Sequence, residues 1–390
     1  MPVPIPSPFT PGALPHVLVG RVRERTRMGD LLARVATFGE LAGPPVVLHA
    51  PRGLGKTSLL RDTEDRAREL GFVTAWVACA KGSPMLTELA SSVRRALVEA
   101  EVLDDRSTKR VLESIAVEFA IFGVSLSTEF ATAPAGAEPP PAAIGGMERV
   151  LHEAAVAVRA RGGAGLLVLI DELHAAPYAE LGVLLNVLQN LAGRRAENPL
   201  AVMTAGLPST PEMIMRAATF GERSEFIGLE RFDEADSRRV LEEPAGAASV
   251  GWARAALDAG LAIADGNPYL LQLVGDSTWQ AAGPEAGDVL ELDDVDAGSD
   301  GMRGQLAAMC RARWDSASEL EQAFLSAMAE YADEIVPRDH IATTMGRESR
   351  AISVPRARLI DRGVIEAAGR GRLRFTLPGM GAWIREFQAG

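Results

Sequence analysis

The segment APRGLGKT, from Ala50 to Thr57, has the residue types and the spacing of a phosphate-binding loop. In the pattern G-x-x-x-x-G-K-[ST], backbone N–H groups converge on phosphate oxygens, the lysine adds positive charge and the hydroxyl holds magnesium. Ala50 replaces the first glycine, but a strand-like run precedes the loop and a helical pattern follows it, as the motif requires. The sequence therefore predicts a nucleotide site. The residues expected to contact the nucleotide are Arg52, Gly53, Leu54, Gly55, Lys56, Thr57 and Ser58.

Two acids follow a second apolar run, in the segment LLVLIDELH. Asp171 ends that run, where a carboxylate can hold a magnesium ion together with the Thr57 hydroxyl. Glu172 comes next, and an acid there can polarise a water towards the γ-phosphate as a general base. The alternative is that Asp171 and Glu172 only cap the following helix.

Two further polar residues fit phosphate chemistry by their positions. Thr204 ends the apolar run LAVMT, where its hydroxyl can contact the γ-phosphate or the attacking water. Arg223 precedes a short strand-like run, and from there a guanidinium can reach the nucleotide of a neighbouring subunit and spread transition-state charge. A surface ion pair is the alternative for Arg223.

Apolar runs alternate with helical patterns through the first part of the chain. That alternation predicts an α/β domain with a parallel five-stranded sheet covered on both faces. The expected organisation is a proline-rich N-terminal segment at 1–18, the α/β domain at 19–245, a helical part with an acidic linker at 246–300 and a separate domain at 301–390. An insertion at about 104–145 contains the strand-like FGVSLSTEF and a proline-rich loop.

Composition excludes several classes of protein. Hydrophobic residues make up 47% and charged residues 24%, and no apolar run approaches the ~20 residues of a membrane span. The start of the chain lacks the basic and apolar blocks of a secretory signal. Cys79 and Cys310 are far apart in apolar stretches, which favours buried thiols over a disulfide or zinc site. We expect a soluble, cytoplasmic protein with no membrane partner.

The combined segments LVGRVRE, APRGLGKTSLL, LLVLIDELH, TAGLP, ERSEF and GNPYLLQLVG resemble the origin-recognition-like AAA+ ATPases of bacteria. These are relatives of the archaeal initiators and of the STAND signalling ATPases, and the resemblance covers nearly the whole chain. It implies an AAA+ P-loop NTPase that binds ATP or ADP with Mg, has a helical lid and assembles as a homo-oligomer. It also implies Thr204 as a sensor and a catalytic arginine near Arg223. The implied adenine-site residues are Val19, Gly20, Arg21, Gly266 and Pro268.

The resemblance is incomplete at one point. No arginine follows GNPYLL where this family usually carries its second sensor. We therefore expect ATP hydrolysis to be slow.

The C-terminal part has the opposite charge balance to the rest. From Arg338 to Gly390 it has ten arginines and five acids, although the whole chain has a net charge of −12. Three helical patterns, followed by two short strand patterns around Gly369-Arg370-Gly371, predict a winged helix, and Pro355 suits the first turn of its third helix. The candidate contacts with double-stranded DNA are Arg350, Arg356, Arg370, Arg372 and Arg374.

Two functions remain open from sequence. One is an ATPase that hydrolyses ATP to switch its assembly state and binds double-stranded DNA through the winged helix. The other is a STAND-like nucleotide-dependent signalling switch or scaffold that recruits an effector or partner protein without DNA, since winged helices also contact proteins.

Overall fold

The structure is a computed structural model and describes residues 5–102, 141–331 and 335–389. The chain divides into two compact units. We call residues 21–50 and 56–229 the sheet unit, and residues 5–20, 51–55 and 230–389 the C-terminal unit, each apart from the gaps in the described residues. The sheet unit ends at Leu229, and the expected domain boundaries stay a prediction.

The sheet unit is an α/β structure. Its helices and strands are α1 (Val22–Phe38), β1 (Val46–His49), α2 (Lys56–Glu69), β2 (Phe72–Ala78), α3 (Met85–Glu99), α4 (Pro141–Ala160), β3 (Gly165–Asp171), α5 (Tyr178–Gly193), β4 (Leu200–Gly206), α6 (Thr210–Ala217) and β5 (Glu225–Gly228). The five strands are all parallel, in the order β2-β3-β4-β1-β5. The predicted parallel five-stranded sheet is confirmed.

The two central strands explain the apolar runs of the sequence. Every residue of β3 and β4 is buried. Leu166, Val168 and Ile170 of β3 belong to the core that includes α3, α4 and α5. Leu167 and Leu169 point to the opposite face by the two-residue period of a strand, and they are buried as well. Helices therefore cover the sheet on both faces, as parallel sheets require.

The C-terminal unit is mainly helical. Its helices and strands are α7 (Glu234–Ala247), β6 (Gly251–Trp252), α8 (Arg254–Ala264), α9 (Pro268–Ala282), β7 (Val289–Leu290), α10 (Leu292–Asp315), α11 (Glu319–Ala329), β8 (Val336–Pro337), α12 (Arg338–Thr344), α13 (Ser353–Asp361), β9 (Ile365–Ala367), β10 (Arg372–Phe375) and α14 (Met380–Ala389). The N-terminal segment packs here: the rings of Phe9 and Trp279 meet edge to face at 6.2 Å, and Trp279 Nε1 donates to the Ile5 carbonyl at 2.9 Å.

Two predicted boundaries fall inside helices. Helix α10 begins at Leu292, within the stretch expected to be an acidic linker, because Glu291 and Asp294 form a reciprocal capping box at its start. Acids near a helix N-terminus also favour the helix dipole, so the acidic run is a helix start. Helix α4 begins at Pro141, so residues 141–145 belong to it rather than to the insertion. The predicted strand FGVSLSTEF lies outside the described residues.

The last part of the chain has the predicted order of three helices followed by a hairpin. Strands β8, β10 and β9 form an antiparallel sheet in that order. Gly369 and Gly371, at the hairpin tip, have φ angles of 102° and 72°, which favour glycine. Pro355 is the third residue of α13, so it lies in the first turn as predicted.

Cys79 and Cys310 are buried and neither forms a disulfide. Among the helices of the described residues, none combines the length and the apolar character needed to cross a bilayer.

Candidate nucleotide site and basic C-terminal surface

Lys56 opens α2 directly after the glycine-rich loop. Its Nζ atom donates a hydrogen bond of 2.9 Å to the carbonyl oxygen of Ala50, the residue at the start of the loop. The side chain is nearly buried, with 6% of the residue exposed. The ammonium is therefore directed back across the loop, where the motif places phosphate.

The two predicted magnesium ligands are in direct contact. Thr57 Oγ1 donates to Asp171 Oδ2 at 2.7 Å, although the two residues are 114 positions apart. Asp171 is the last residue of β3, is 5% exposed, and accepts the Glu172 backbone N–H at its other oxygen at 2.8 Å. A hydroxyl and a carboxylate at the carboxyl end of a parallel sheet are oxygen ligands of the kind that magnesium takes.

Glu172 has an unusual backbone conformation. Its φ and ψ angles are 52° and 35°, in the left-handed region that residues other than glycine seldom adopt. Its side chain makes no capping hydrogen bond to the short 3₁₀ helix that follows, and Oε2 lies 3.4 Å from His174 Nε2. The capping alternative is therefore not supported for the Glu172 carboxylate. Backbone strain of this kind is concentrated at functional sites.

Thr204 does not end its strand, so that prediction is wrong. Strand β4 continues through Ala205 and Gly206, which pair with Leu48 and His49 of β1. Small residues give little strand signal in a sequence, which explains the error. The Thr204 hydroxyl is buried and donates to the Val46 carbonyl at 3.2 Å. Its role as a sensor stays a prediction.

Arg223 lies at the amino ends of the strands, whereas Lys56 and Asp171 lie at the carboxyl ends. It ends a short 3₁₀ helix just before β5, and it is exposed. It lines a cavity of about 510 Å³ together with Pro44, Pro45 and Phe220, which precede the amino ends of β1 and β5. Asp171 is the last residue of β3, and Lys56 follows the carboxyl end of β1. Within the sheet unit Arg223 is therefore remote from these two residues, and action on a neighbouring subunit stays a prediction.

Within the C-terminal unit, loop residues 51–55 contact the start of α9. The Gly53 carbonyl accepts the Tyr269 backbone N–H at 3.2 Å, and a Cβ added to Gly53 would lie 3.4 Å from Tyr269 Cβ. Asn267 caps α9 by accepting from the backbone N–H groups of Tyr269 and Leu270, and Pro268 is the first residue of the helix. Asparagine followed by proline is a sequence signal of a helix start.

Most of the residues implied for the adenine site come together in the C-terminal unit. Phe232 donates its backbone N–H to the Gly266 carbonyl at 2.8 Å, and a Cβ on Gly266 would lie 2.4 Å from the Phe232 oxygen. A Cβ on Gly20 would lie 2.9 Å from the Phe232 ring. Val19 is buried in the same unit, whereas Arg21, with a left-handed φ of 56°, belongs to the sheet unit. Phe232 lies outside the motifs that suggested the adenine site.

Charged groups near Asp171 affect the pKa of the Cys79 thiol. The Cys79 backbone N–H donates to the Asp171 carbonyl at 2.9 Å. Burial, followed by the charges of carboxylates that include Glu88 and Glu180, raises the pKa of Cys79 to about 12. The thiol therefore stays protonated at neutral pH and is a poor nucleophile.

The hairpin arginines differ in their contacts. Arg374 pairs with Glu366 at 2.6 Å and with Asp265 at 3.1 Å, and Arg231 contacts the same two carboxylates at 2.8 and 3.0 Å. Arg374 is therefore held in an ion-pair network of the C-terminal unit. Its role as a contact with DNA stays a prediction. The two-residue period of β10 predicts the face on which Arg374 lies, but it does not predict the acids that pair with this arginine.

The other four arginines predicted to contact DNA differ from Arg374 in their ion pairs. Arg350, Arg370 and Arg372 are exposed, whereas Arg356 on α13 is half-buried. Within the described part of the chain, no carboxylate forms an ion pair with any of these four.

Residues 17–203 match the family model described as the AAA ATPase domain. Residues 307–384 match a domain of unknown function, DUF8462, which covers α11, α12, α13, the hairpin and parts of α10 and α14. The sequence matches none of the curated proteins with which it was compared.

One of the similar solved structures has a TM-score above 0.5 and supports the fold. The Walker-type ATPase of Pyrococcus abyssi aligns with a TM-score of 0.56 at 13% identity, covering 98% of each chain. A RuvB variant of Thermotoga maritima aligns at 0.47 and 15% identity over 91% of this chain and 92% of its own, and Cdc6p of Pyrobaculum aerophilum at 0.47 and 12% over 97% and 96%. The predicted AAA+ P-loop fold, with a further C-terminal domain, is confirmed.

Proposed function

We propose that the AAA ATPase domain binds ATP with magnesium at the loop from Ala50 to Thr57 and hydrolyses it. The observation that carries this proposal is the 2.7 Å hydrogen bond between Thr57 Oγ1 and Asp171 Oδ2. It joins the hydroxyl of the loop motif to the acid of the second motif, so two oxygen ligands suited to magnesium are adjacent. Bound magnesium would neutralise charge on the β- and γ-phosphates.

The chain's own residues supply the rest of the reaction. Lys56 places an ammonium on the phosphates, and Glu172 orients and polarises a water for attack on the γ-phosphate. Arg223 acts on the nucleotide of a neighbouring copy, because it is remote from Lys56 and Asp171 in its own sheet unit. A homo-oligomer is therefore part of the proposal.

We propose further that residues 319–389 form a winged helix that binds double-stranded DNA. Two observations support this: three helices precede a β-hairpin, and exposed arginines lie before α13 and on the hairpin. Arginines without acidic partners in the described residues are suited to phosphates of the duplex backbone.

A nucleotide-dependent switch without DNA is the second candidate. The network of Arg374, Glu366, Asp265 and Arg231 favours it, because this network ties the hairpin to residues next to Gly266. On this proposal, nucleotide binding changes the network and exposes a surface for an effector protein.

One experiment tests these proposals together. ATP hydrolysis and oligomer mass are measured with and without duplex DNA, and Arg223→Ala is mixed with Lys56→Ala to look for restored turnover at mixed interfaces. DNA-stimulated hydrolysis supports the first candidate, and nucleotide-dependent assembly that ignores DNA supports the switch. Absence of nucleotide binding by the wild-type chain at millimolar concentration overturns the ATPase proposal.

A further inference from the structure

One face of α10 runs beside the glycine-rich loop within the C-terminal unit. Gln305, Met309 and Arg313 share this face at four-residue spacing. Gln305 Nε2 donates to the Tyr269 hydroxyl at 3.0 Å, and that hydroxyl lies 3.6 Å from Met309 Sδ. The backbone N–H of Tyr269 in turn donates to the Gly53 carbonyl at 3.2 Å. Tyr269 therefore connects this helix face to loop residues 51–55.

Arg313 is the residue of this face nearest the end of the helix. It hydrogen bonds Thr376 Oγ1, which also contacts the Gly363 carbonyl at 2.6 Å. A Cβ added to Gly363 would lie 3.2 Å from the backbone nitrogen of Arg52, so this part of the unit packs directly on the loop. The guanidinium of Arg313 thus lies beside the residues that line the loop.

Arg313 differs from Arg231 and Arg362, two other partly buried arginines of its unit. Arg231 pairs with Glu366, and Arg362 pairs with Glu321. Among the described residues no carboxylate pairs with Arg313, and its one side-chain hydrogen bond is the one to Thr376. Burial, together with the positive charge of Arg52, lowers the pKa of the Arg313 guanidinium to about 10.

A cation in this setting destabilises the chain unless an anion is bound. A guanidinium has five N–H donors in a planar fork that matches the oxygens of a carboxylate or a phosphate. The described chain supplies Arg313 with one neutral acceptor and places it near a second arginine, so the matching anion comes from a ligand. The adjacent loop has the sequence of a phosphate loop.

We propose that Arg313 binds a phosphate oxygen of the nucleotide held on loop 51–55. This inference rests on the proposed function and assigns to α10 a nucleotide contact that the sequence motifs do not contain. Arg313 is then a phosphate-binding residue, and its contact with Thr376 connects the bound phosphate to the strand β10 that precedes it.

The test compares Arg313→Met with Arg311→Met. Arg311 is an exposed arginine of the same helix, with its guanidinium 4.3 Å from the Phe387 ring. The affinity for ADP and for ATP is measured by calorimetry, and the melting temperature is measured without nucleotide. Arg313→Met is expected to lower both affinities about tenfold or more, as the loss of a charge-assisted hydrogen bond predicts, without lowering the melting temperature. Arg311→Met is expected to keep wild-type affinity.

The outcomes separate this inference from the proposed function. If the wild-type chain binds nucleotide and Arg313→Met binds it equally well, the inference is overturned and the proposed function stands. A lower melting temperature together with weaker binding makes Arg313 a structural residue and also overturns the inference. If wild type binds no nucleotide, both fall. Should Arg313→Met not fold, Arg313→Lys takes its place: it keeps the charge but loses the fork, and severalfold weaker binding at an unchanged melting temperature is expected, whereas wild-type affinity overturns the inference.

Discussion

The carboxyl edge of the sheet and the C-terminal hairpin both carry charged residues that the sequence marked as functional, but they use them differently. At the sheet edge, Thr57 and Asp171 meet at the ends of neighbouring elements, and the two predicted ligands are brought together. On the hairpin, Arg372 and Arg374 lie on one face of β10, yet Arg374 is paired with Glu366 and Asp265 and Arg372 is exposed. A shared face therefore does not give two residues the same availability, because other elements supply their partners.

The largest effect is expected when the ammonium of Lys56 is removed from the candidate nucleotide site. Lys56→Ala should abolish most ATP affinity and all measurable hydrolysis, because the charge on the β- and γ-phosphates is lost. Titration with a fluorescent ATP analogue measures this. Lys81→Ala, which removes an exposed lysine outside the loop, is the control and should bind normally. Wild-type affinity in Lys56→Ala would refute the assignment of the loop.

The next largest effect is expected for a variant that separates ATP binding from ATP hydrolysis at the carboxyl edge of the sheet. Glu172→Gln should keep ATP affinity and lower the hydrolysis rate by about 10² or more, as expected for loss of a general base. Single-turnover hydrolysis and equilibrium binding are measured on the same preparation. Glu212→Gln, an exposed acid on α6, should leave both unchanged. If Glu172→Gln turns over at the wild-type rate, another group is the base.

The prediction for the hairpin compares two arginines that have no acidic partner in the described residues, Arg370 and Arg372, with the paired Arg374. The double variant Arg370→Ala, Arg372→Ala should flatten the slope of log affinity for duplex DNA against log salt by about 2, at roughly 0.9 for each lost phosphate contact. Arg374→Ala should change that slope by less than one contact, because its guanidinium is already paired. Binding of fluorescent duplex over a salt series measures both. An equal change in slope for Arg374→Ala would show that the ion pairs open on DNA.

The smallest effect concerns the stability of the C-terminal unit. Burial alone would raise the pKa of Glu321, but hydrogen bonds from Ser318 and the charge of Arg362 outweigh it, so its pKa lies below the ordinary value. A depressed pKa stabilises the fold above the unfolded-state pKa, and this stabilisation is lost as the pH falls through the folded-state pKa. Glu321→Gln should cost about 1–2 kcal/mol of unfolding free energy at pH 7 and less at pH 4.

Thermal unfolding of the Glu321 variant at several pH values provides the measurement. Glu319→Gln changes an exposed acid of the same helix turn and should have little effect. A pH-independent loss of stability in Glu321→Gln would show that packing, and not charge, is what the carboxylate contributes.

Local patterns predicted most of the elements correctly. The strand at Val46–His49, the helix start at Lys56 and the end of β3 at Asp171 agree with the sequence because apolar runs and loop chemistry are local signals. Errors arose where tertiary pairing extends an element, as for β4 beyond Thr204, or where acids that suggested a linker cap a helix, as at Glu291. Such features depend on neighbours that a sequence pattern does not contain.

By itself the sequence determined the glycine-rich loop, the acid that ends β3 and the basic hairpin, because each depends on residue type and short spacing. The tertiary structure alone decided which charges meet. It placed Thr57 against Asp171 and paired Arg374 with carboxylates from two other segments. It also left Arg313 beside Arg52 without an acid among the described residues. Coulombic and hydrogen-bond energies depend on distances of a few ångströms between residues far apart in the chain, and only packing sets those distances.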